Sequence, residues 1–251
     1  MGRSRVVLNG MDHRTHLAAQ PNAFVSLCDV LGREAPLVIV DGGAHVGRVT
    51  YQLLQIFPNA TVHAFEPVSE TYRQLHQHFA SEPRARCWNV ALGRSASTVE
   101  MRVNGCTGTS SAFDSESRLL RYHGDKAVTV RTETANVVSL DQWAADNGVP
   151  GTDLLKLDLQ GFELEALRGA TELLASSVRA IYSEAQLTPL YRGAALFSDI
   201  DIFLRAQGFE LFRIQELFFN GGELRSTCCD AIWLRADVMA AYIERTAHRA
   251  A

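Results

Sequence analysis

From Val38 to Phe57 the chain reads VIVDGGAHVGRVTYQLLQIF. A short apolar run ends in an acid, glycines follow at once, and a helical pattern begins, closed by Pro58 and Asn59. A second strand, TVHAF, ends at Glu66 and Pro67. Ser69 then stands where a helix cap belongs, and Tyr72, Leu75 and Phe79 recur on one helical face. RCWNVAL reads as a third strand. Strands that alternate with helices through short links predict a parallel sheet, doubly wound by right-handed crossovers, with helices on both faces. The same design returns in DLLKLDLQGFELEALRGATELLA, where an apolar run ends in Asp158 and Gly161 precedes a long helical pattern. VRAIYSE gives another strand, ending in Glu184. A helix near FSDIDIFLRAQGF, strands around ELFRIQELFF and CCDAIWL, and a terminal helix complete the chain.

The middle is less regular. TVEMRV, AVTVRTE and ANVVSL read as strands and LDQWAAD as a short helix, while NGCTGTSSAFDSESR reads as a loop. The expected organisation is an N-terminal arm and helix over 1–34, a main domain over 35–236 with an insert at about 104–127, and a C-terminal helix over 237–251. A length of 251 residues, 47% of them apolar, suits one α/β domain with extensions. The formal charge of −4 supplies no basic field for nucleic acid. No apolar run is long enough for a membrane span, and the first residues lack a secretory core. The five cysteines show no C-x-x-C spacing, so reduced thiols in a cytoplasmic protein are expected. Cys228 and Cys229 should point to opposite faces of their strand.

Asp41, Glu66, Asp158 and Glu184 each end a predicted strand, and in an open parallel sheet that edge is where ligands sit. Four acids on one rim repel one another unless a cation offsets them, which disfavours a pyrophosphate ligand. The glycines agree: Gly42, Gly43 and Gly47 do not form G-x-G-x-x-G. Glu66, at the end of the next strand, is placed to accept hydrogen bonds from ribose hydroxyls. S-adenosylmethionine has a ribose, an ammonium and a sulfonium but no phosphate, and suits such a rim.

The run VDGGAHVG, then FEP, NVALG, KLDLQGFELEALRGA and YSEAQ, resembles the FkbM family of S-adenosylmethionine-dependent methyltransferases over roughly Val38 to Leu234. The resemblance implies a class I, Rossmann-like, seven-stranded sheet whose last strand is antiparallel. It also implies methyl transfer to a hydroxyl of a sugar or natural product. Carried over, it places Asp41, Gly43, His45 and Gly47 around the methionine part of the cofactor, Glu66 at the ribose, and Asn89 and Val90 at the adenine. Asp158 falls beside the transferable methyl and Glu184 ends the fifth strand. Many relatives have a histidine two residues after that acid; this chain has Gln186.

Methyl transfer needs the acceptor oxygen, methyl carbon and sulfur in line, and positioning supplies about 7–11 kcal/mol in well-oriented systems. An alcohol must also lose its proton, and a carboxylate within reach can take it. Asp158 is the first candidate and Glu184 the second; cofactor binding or helix capping by Asp158, and a structural contact by Glu184, are the alternatives. Ser110 and Ser111 are candidates to bond the cofactor carboxylate or a sugar hydroxyl, and Tyr191 and Arg192 to line the acceptor pocket. His45 reads as a pocket wall and His123 as an exposed loop residue. A divalent ion held by Asp158, Glu163 and Glu184 is not expected. The rivals are a nicotinamide-dependent oxidoreductase on a similar sheet and a non-catalytic S-adenosylmethionine-binding protein. A homodimer through residues 1–33 and the C-terminal helix is a further expectation.

Overall fold

The computed structural model describes residues 23–219 and 226–250; the expected N-terminal arm, residues 1–22, lies outside the described residues. The strands are β1 (Val38–Gly42), β2 (Thr61–Phe65), β3 (Ala85–Trp88), β4 (Ala91–Leu92), β5 (Ser97–Asn104), β6 (Thr129–Val138), β7 (Leu154–Leu157), β8 (Ala180–Gln186), β9 (Phe209–Phe219) and β10 (Ser226–Arg235). The helices are α1 (Ala23–Leu31), α2 (Arg48–Ile56), α3 (Ser69–His78), α4 (Ser117–His123), α5 (Leu140–Asp146), α6 (Glu163–Arg168), α7 (Thr171–Ser176), α8 (Phe197–Ala206) and α9 (Ala236–Ala250).

Seven strands form one sheet in the order β3-β2-β1-β7-β8-β10-β9. β3, β2, β1, β7 and β8 pair in parallel, and β10, last in the chain, runs antiparallel between β8 and β9. The expected seven-stranded class I sheet with its last strand reversed is therefore the observed one. β1 and β7 are apolar runs rather than alternating ones because helices cover both faces. Their side chains still divide by parity. Ile39 and Leu154 join one core with α1, α2 and α9, while Val40, Leu155 and Leu157 join the other with α5 to α8. Strand order reverses between β1 and β7, which opens a crevice at their carboxyl ends.

Three local expectations change. RCWNVAL is two strands: β3 stays in the main sheet, and β4 leaves it to pair with β6 in a second sheet ordered β4-β6-β5. The Asn89 side chain makes that break, donating to the Glu66 and Pro67 carbonyls at 2.9 and 3.1 Å. The helix after Gly161 is also two pieces, α6 and α7, parted at Gly169 and Ala170. A Cβ on Gly169 would lie 2.1 Å from the Gly93 carbonyl oxygen, so the chain turns where two backbones touch. The expected loop after Asn104 contains a 3-10 turn (Thr107–Thr109) and leads into α4, and exposed His123 ends that helix. Cys228 and Cys229 do point to opposite sides, one into a small cluster with Tyr191 and the other into the main core.

Candidate active site

The glycine loop between β1 and α2 is built around a buried ion pair. Asp41 and Lys156 are direct cross-strand neighbours on β1 and β7. Lys156 Nζ lies 2.9 Å from Asp41 Oδ1 and donates to the carbonyls of Gly42 and Gly43, each at 3.1 Å. The ammonium thus donates to two carbonyls and sets its charge against Asp41. Thr50 of α2 donates to the other Asp41 oxygen at 2.6 Å. Burial, the largest single influence, lowers the Lys156 pKa, but the carboxylates around it, Asp41 first and then Asp158 and Glu184, together outweigh it and the net direction is up. Asp41 is fully buried and does not reach the cavity. At Asp41 this departs from the expected open rim, because the charge beside that acid is Lys156.

The two expected loop glycines do different jobs. Gly43 has φ +69°, and a Cβ there would sit 1.9 Å from the Asp158 carbonyl oxygen. It lets β1 and β7 end against each other while its backbone lines the cavity. Gly47 has φ +92° and makes room for the Phe79 ring, 2.3 Å from where its Cβ would be. It does not line the cavity; it closes α2 against α3.

A cavity of about 210 Å³ lies over the crevice, walled by Gly43, His45, Glu66, Asp158 and Gln160 on its polar side. Phe65, Val68, Val90, Leu92, Met101 and Phe162 make its apolar side. Thr107, Gly108 and Ser110 form a roof, carried by the loop after β5. Glu66 accepts backbone amides from Val68 at 2.9 Å and His45 at 3.0 Å. Those bonds fix its orientation, and burial pushes its carboxyl up to about 7. His45, at φ +51°, reaches Thr107 Oγ1 with Nε2 at 2.7 Å, tying the floor to the roof. Burial lowers its pKa. His45 therefore lines the cavity.

Asp158 stands on the cavity wall, and its Oδ1 accepts from Gln160 Nε2 at 2.6 Å. Glu184 does not line the cavity but meets the same Nε2 at 3.2 Å. Burial first, then the neighbouring Asp158, pushes the Glu184 carboxyl well above the usual range. Glu163 folds back over its own loop, accepting from the Leu159 amide at 2.7 Å and the Gly161 amide at 3.0 Å. Burial raises it to about 7.

The remaining expected residues are dispersed. Val90 and Ser110 line the cavity, whereas Asn89 braces the turn after Glu66 and is not on its wall. Ser110 Oγ accepts from the Asn104 amide at 3.1 Å, and Ser111 Oγ donates to the Gln160 carbonyl at 2.7 Å. Tyr191 is buried behind Gln160, and Arg192 is exposed beside Glu116. Gln186 accepts from the Leu190 amide at 2.9 Å and so anchors the segment that delivers Tyr191. Among the described residues no group of three or more His, Cys, Asp or Glu side chains is arranged for a metal ion. Lys156 and Gln160 are polar positions of the candidate site that sequence reasoning missed, and Val68, Leu92, Met101, Thr107 and Phe162 are further lining residues it did not single out. Lys156 had a signal: a charge inside LLKL, where a parallel strand covered on both faces should be apolar throughout.

Comparison with known proteins agrees with this architecture. Residues 41–211 match the model described as the methyltransferase FkbM domain. The chain is 26% identical over 168 residues to 2-O-methyltransferase NoeI of Sinorhizobium fredii, covering 62% of this chain and 66% of that one. It is 25% identical over 185 residues to hexuronic acid methyltransferase AglP of Haloferax volcanii, covering 71% of each. A solved methyltransferase FkbM from Methylobacillus flagellatus KT superposes with a TM-score of 0.50 at 15% identity, over 78% of this chain and 43% of that one. With the sheet order, the crevice and a match across more than half of its residues, the chain belongs to the FkbM methyltransferase family.

Proposed function

We propose that this chain is an S-adenosylmethionine-dependent O-methyltransferase acting on a hydroxyl of a sugar or natural product. The observation that carries this reading is the cavity itself. It joins an oriented acid, Glu66, to an apolar slot on one side and to Asp158 on the other, over a backbone laid bare at Gly43. Those features fit the cofactor part by part. Glu66 suits the ribose hydroxyls, and Val68, Val90, Leu92 and Met101 suit the faces of a purine. When bound, S-adenosylmethionine supplies a methyl carbon made electrophilic by its sulfonium. The chain's own contribution is to hold the acceptor oxygen in line, exclude water under the Thr107–Ser110 roof, and take the hydroxyl proton at an Asp158 carboxylate oxygen. The names of NoeI and AglP, a 2-O-methyltransferase and a hexuronic acid methyltransferase, support a sugar-type acceptor.

The test has two stages. Calorimetric titration of the purified chain with S-adenosylhomocysteine and with NADH should show binding of the first alone; binding of NADH alone would overturn the reading. Methyl-labelled S-adenosylmethionine is then offered with a panel of sugars and polyols. Label should appear on oxygen, and Asp158→Asn should lower turnover by about 10²-fold or more, the scale of a lost general base, with homocysteine-product binding retained.

A further inference from the structure

Gln160 is one of only two described non-glycine residues with a left-handed backbone, at φ +53°; the other is His45, across the same cavity. That conformation throws the Gln160 carboxamide in among charged neighbours rather than out to solvent, and every polar atom of it is used. Nε2 donates to Asp158 Oδ1 at 2.6 Å and to Glu184 Oε2 at 3.2 Å. Oε1 accepts from the Tyr191 hydroxyl at 2.6 Å, and the main-chain carbonyl accepts from the Ser111 hydroxyl at 2.7 Å. The opposite amide orientation would set the carbonyl oxygen against two carboxylates, so the neighbours define which end is nitrogen.

Two carboxylates this close repel unless a donor lies between them. Lys156 is engaged elsewhere, bonded to the Gly42 and Gly43 carbonyls and paired with Asp41. A neutral amide with two N–H groups bridges the pair and adds no charge that would cancel the local field. Its own position is fixed from two other loops: Ser111 lies just beyond the roof, and Tyr191 reaches in from the segment after β8, its single hydroxyl proton lying between Gln160 Oε1 at 2.6 Å and the Thr109 carbonyl of the roof at 3.1 Å.

We propose that Gln160 is a positioning residue: it holds Asp158 and Glu184 as one pair at the sulfonium end of the cavity, and Tyr191 and Ser111 lock it when the roof is in place. This rests on the cofactor reading given above. Its consequence is readable without any acceptor. S-adenosylmethionine carries a positive sulfur and S-adenosylhomocysteine does not, so the ratio of their dissociation constants reports the negative field that Asp158 presents. The ribose and adenine contacts are common to both ligands and cancel.

The experiment is calorimetric titration of the full chain with each ligand from pH 6 to 9, for wild type, Gln160→Met and Tyr191→Phe. Gln160→Met should lower the preference for S-adenosylmethionine over S-adenosylhomocysteine by about tenfold, the scale of one misplaced charge-assisted contact, beyond any loss of cavity-wall contact that the two ligands share. Tyr191→Phe, which removes the hydroxyl that steadies Oε1 and faces the Thr109 carbonyl, should lower the preference in the same direction by about threefold. In both variants the pH dependence of the ratio should move from the wild-type profile. An unchanged ratio in both variants, or an equal loss of both ligands, overturns the proposal, because a purely structural glutamine would affect the two ligands alike. If Gln160→Met does not fold, Tyr191→Phe decides alone. Wild type that binds neither ligand sinks the cofactor assignment as well, and so is distinct from failure of the positioning role, in which wild type binds both.

Discussion

Glu66 is a residue whose protonation and ligand are coupled. Its carboxyl is held at about 7 by burial, even though two backbone amides favour the charged form. A ribose donates hydrogen bonds, which an ionised carboxylate accepts best. Below pH 7 the free protein holds a proton there that binding must expel. Affinity for S-adenosylhomocysteine should therefore rise as pH climbs from about 5.5 through 7 and level off above it, by at most about tenfold per pH unit. Glu66→Gln should flatten the profile; a wild-type profile already flat across that window would refute the coupling. The same raised value has a stability counterpart: the free protein should lose stability as pH climbs from the ordinary carboxylate range toward 7, because the unfolded chain releases this proton first. Lys156 poses the opposite case, a charge fully paired in the apolar sheet. Lys156→Met leaves Asp41 buried and unpaired, and should cost about 3–5 kcal/mol in urea unfolding. Adding Asp41→Asn should recover part of that loss. If the single and double variants unfold alike, the pair does not carry the loop.

Among the elements, the second sheet β4-β6-β5 bears most on the site, because it carries the roof over the crevice. β5 delivers Met101 to the cavity and ends at the turn bearing Thr107 and Ser110. Asn104 secures that turn, donating to the Thr109 carbonyl at 2.7 Å. The roof meets the floor through separate bonds: Thr107 to His45 and Ser111 to Gln160. Each is worth about 0.5–1.5 kcal/mol net, so no one of them can hold the roof shut. Thr107→Val keeps the shape and removes the His45 bond. It should speed S-adenosylhomocysteine release by about fivefold, measured by stopped-flow displacement, with little change in unfolding midpoint. An unchanged release rate would mean that this bond does not gate the cavity.

At the scale of the whole molecule, sequence patterning reaches as far as local rules do. The existence of β1, β2, β7 and β8 and their place in a parallel sheet follow from apolar runs, glycines and caps, all local signals, although Glu184, expected at a strand end, lies inside β8. The second sheet does not follow, because β4 has only two residues and its partner lies far along the chain. Gln160 is invisible for the same reason: its role depends on Tyr191, Ser111 and Glu184, which only the fold brings together. The N-terminal helix shows how far such long-range contacts reach. Its apolar face, Phe24, Leu27, Cys28 and Leu31, is legible as an amphipathic pattern, but what it covers is not. In the structure α1 packs with α2 and α9, and the first and last described helices cover one face of the sheet together. Arg179, next to β8, reaches the Leu31 carbonyl at 3.3 Å, and Arg213 of β9 reaches Ser26 at 3.1 Å. We therefore expect 23–31 to act as part of the main fold rather than as a detachable arm. Leu27 is fully buried, so Leu27→Ala should cost about 2–5 kcal/mol in urea unfolding. The loss should appear in a single transition shared by the core, with cofactor affinity unaltered in the folded fraction. A separate early transition, with the main unfolding midpoint unmoved, would instead mean that α1 folds independently of the sheet it covers.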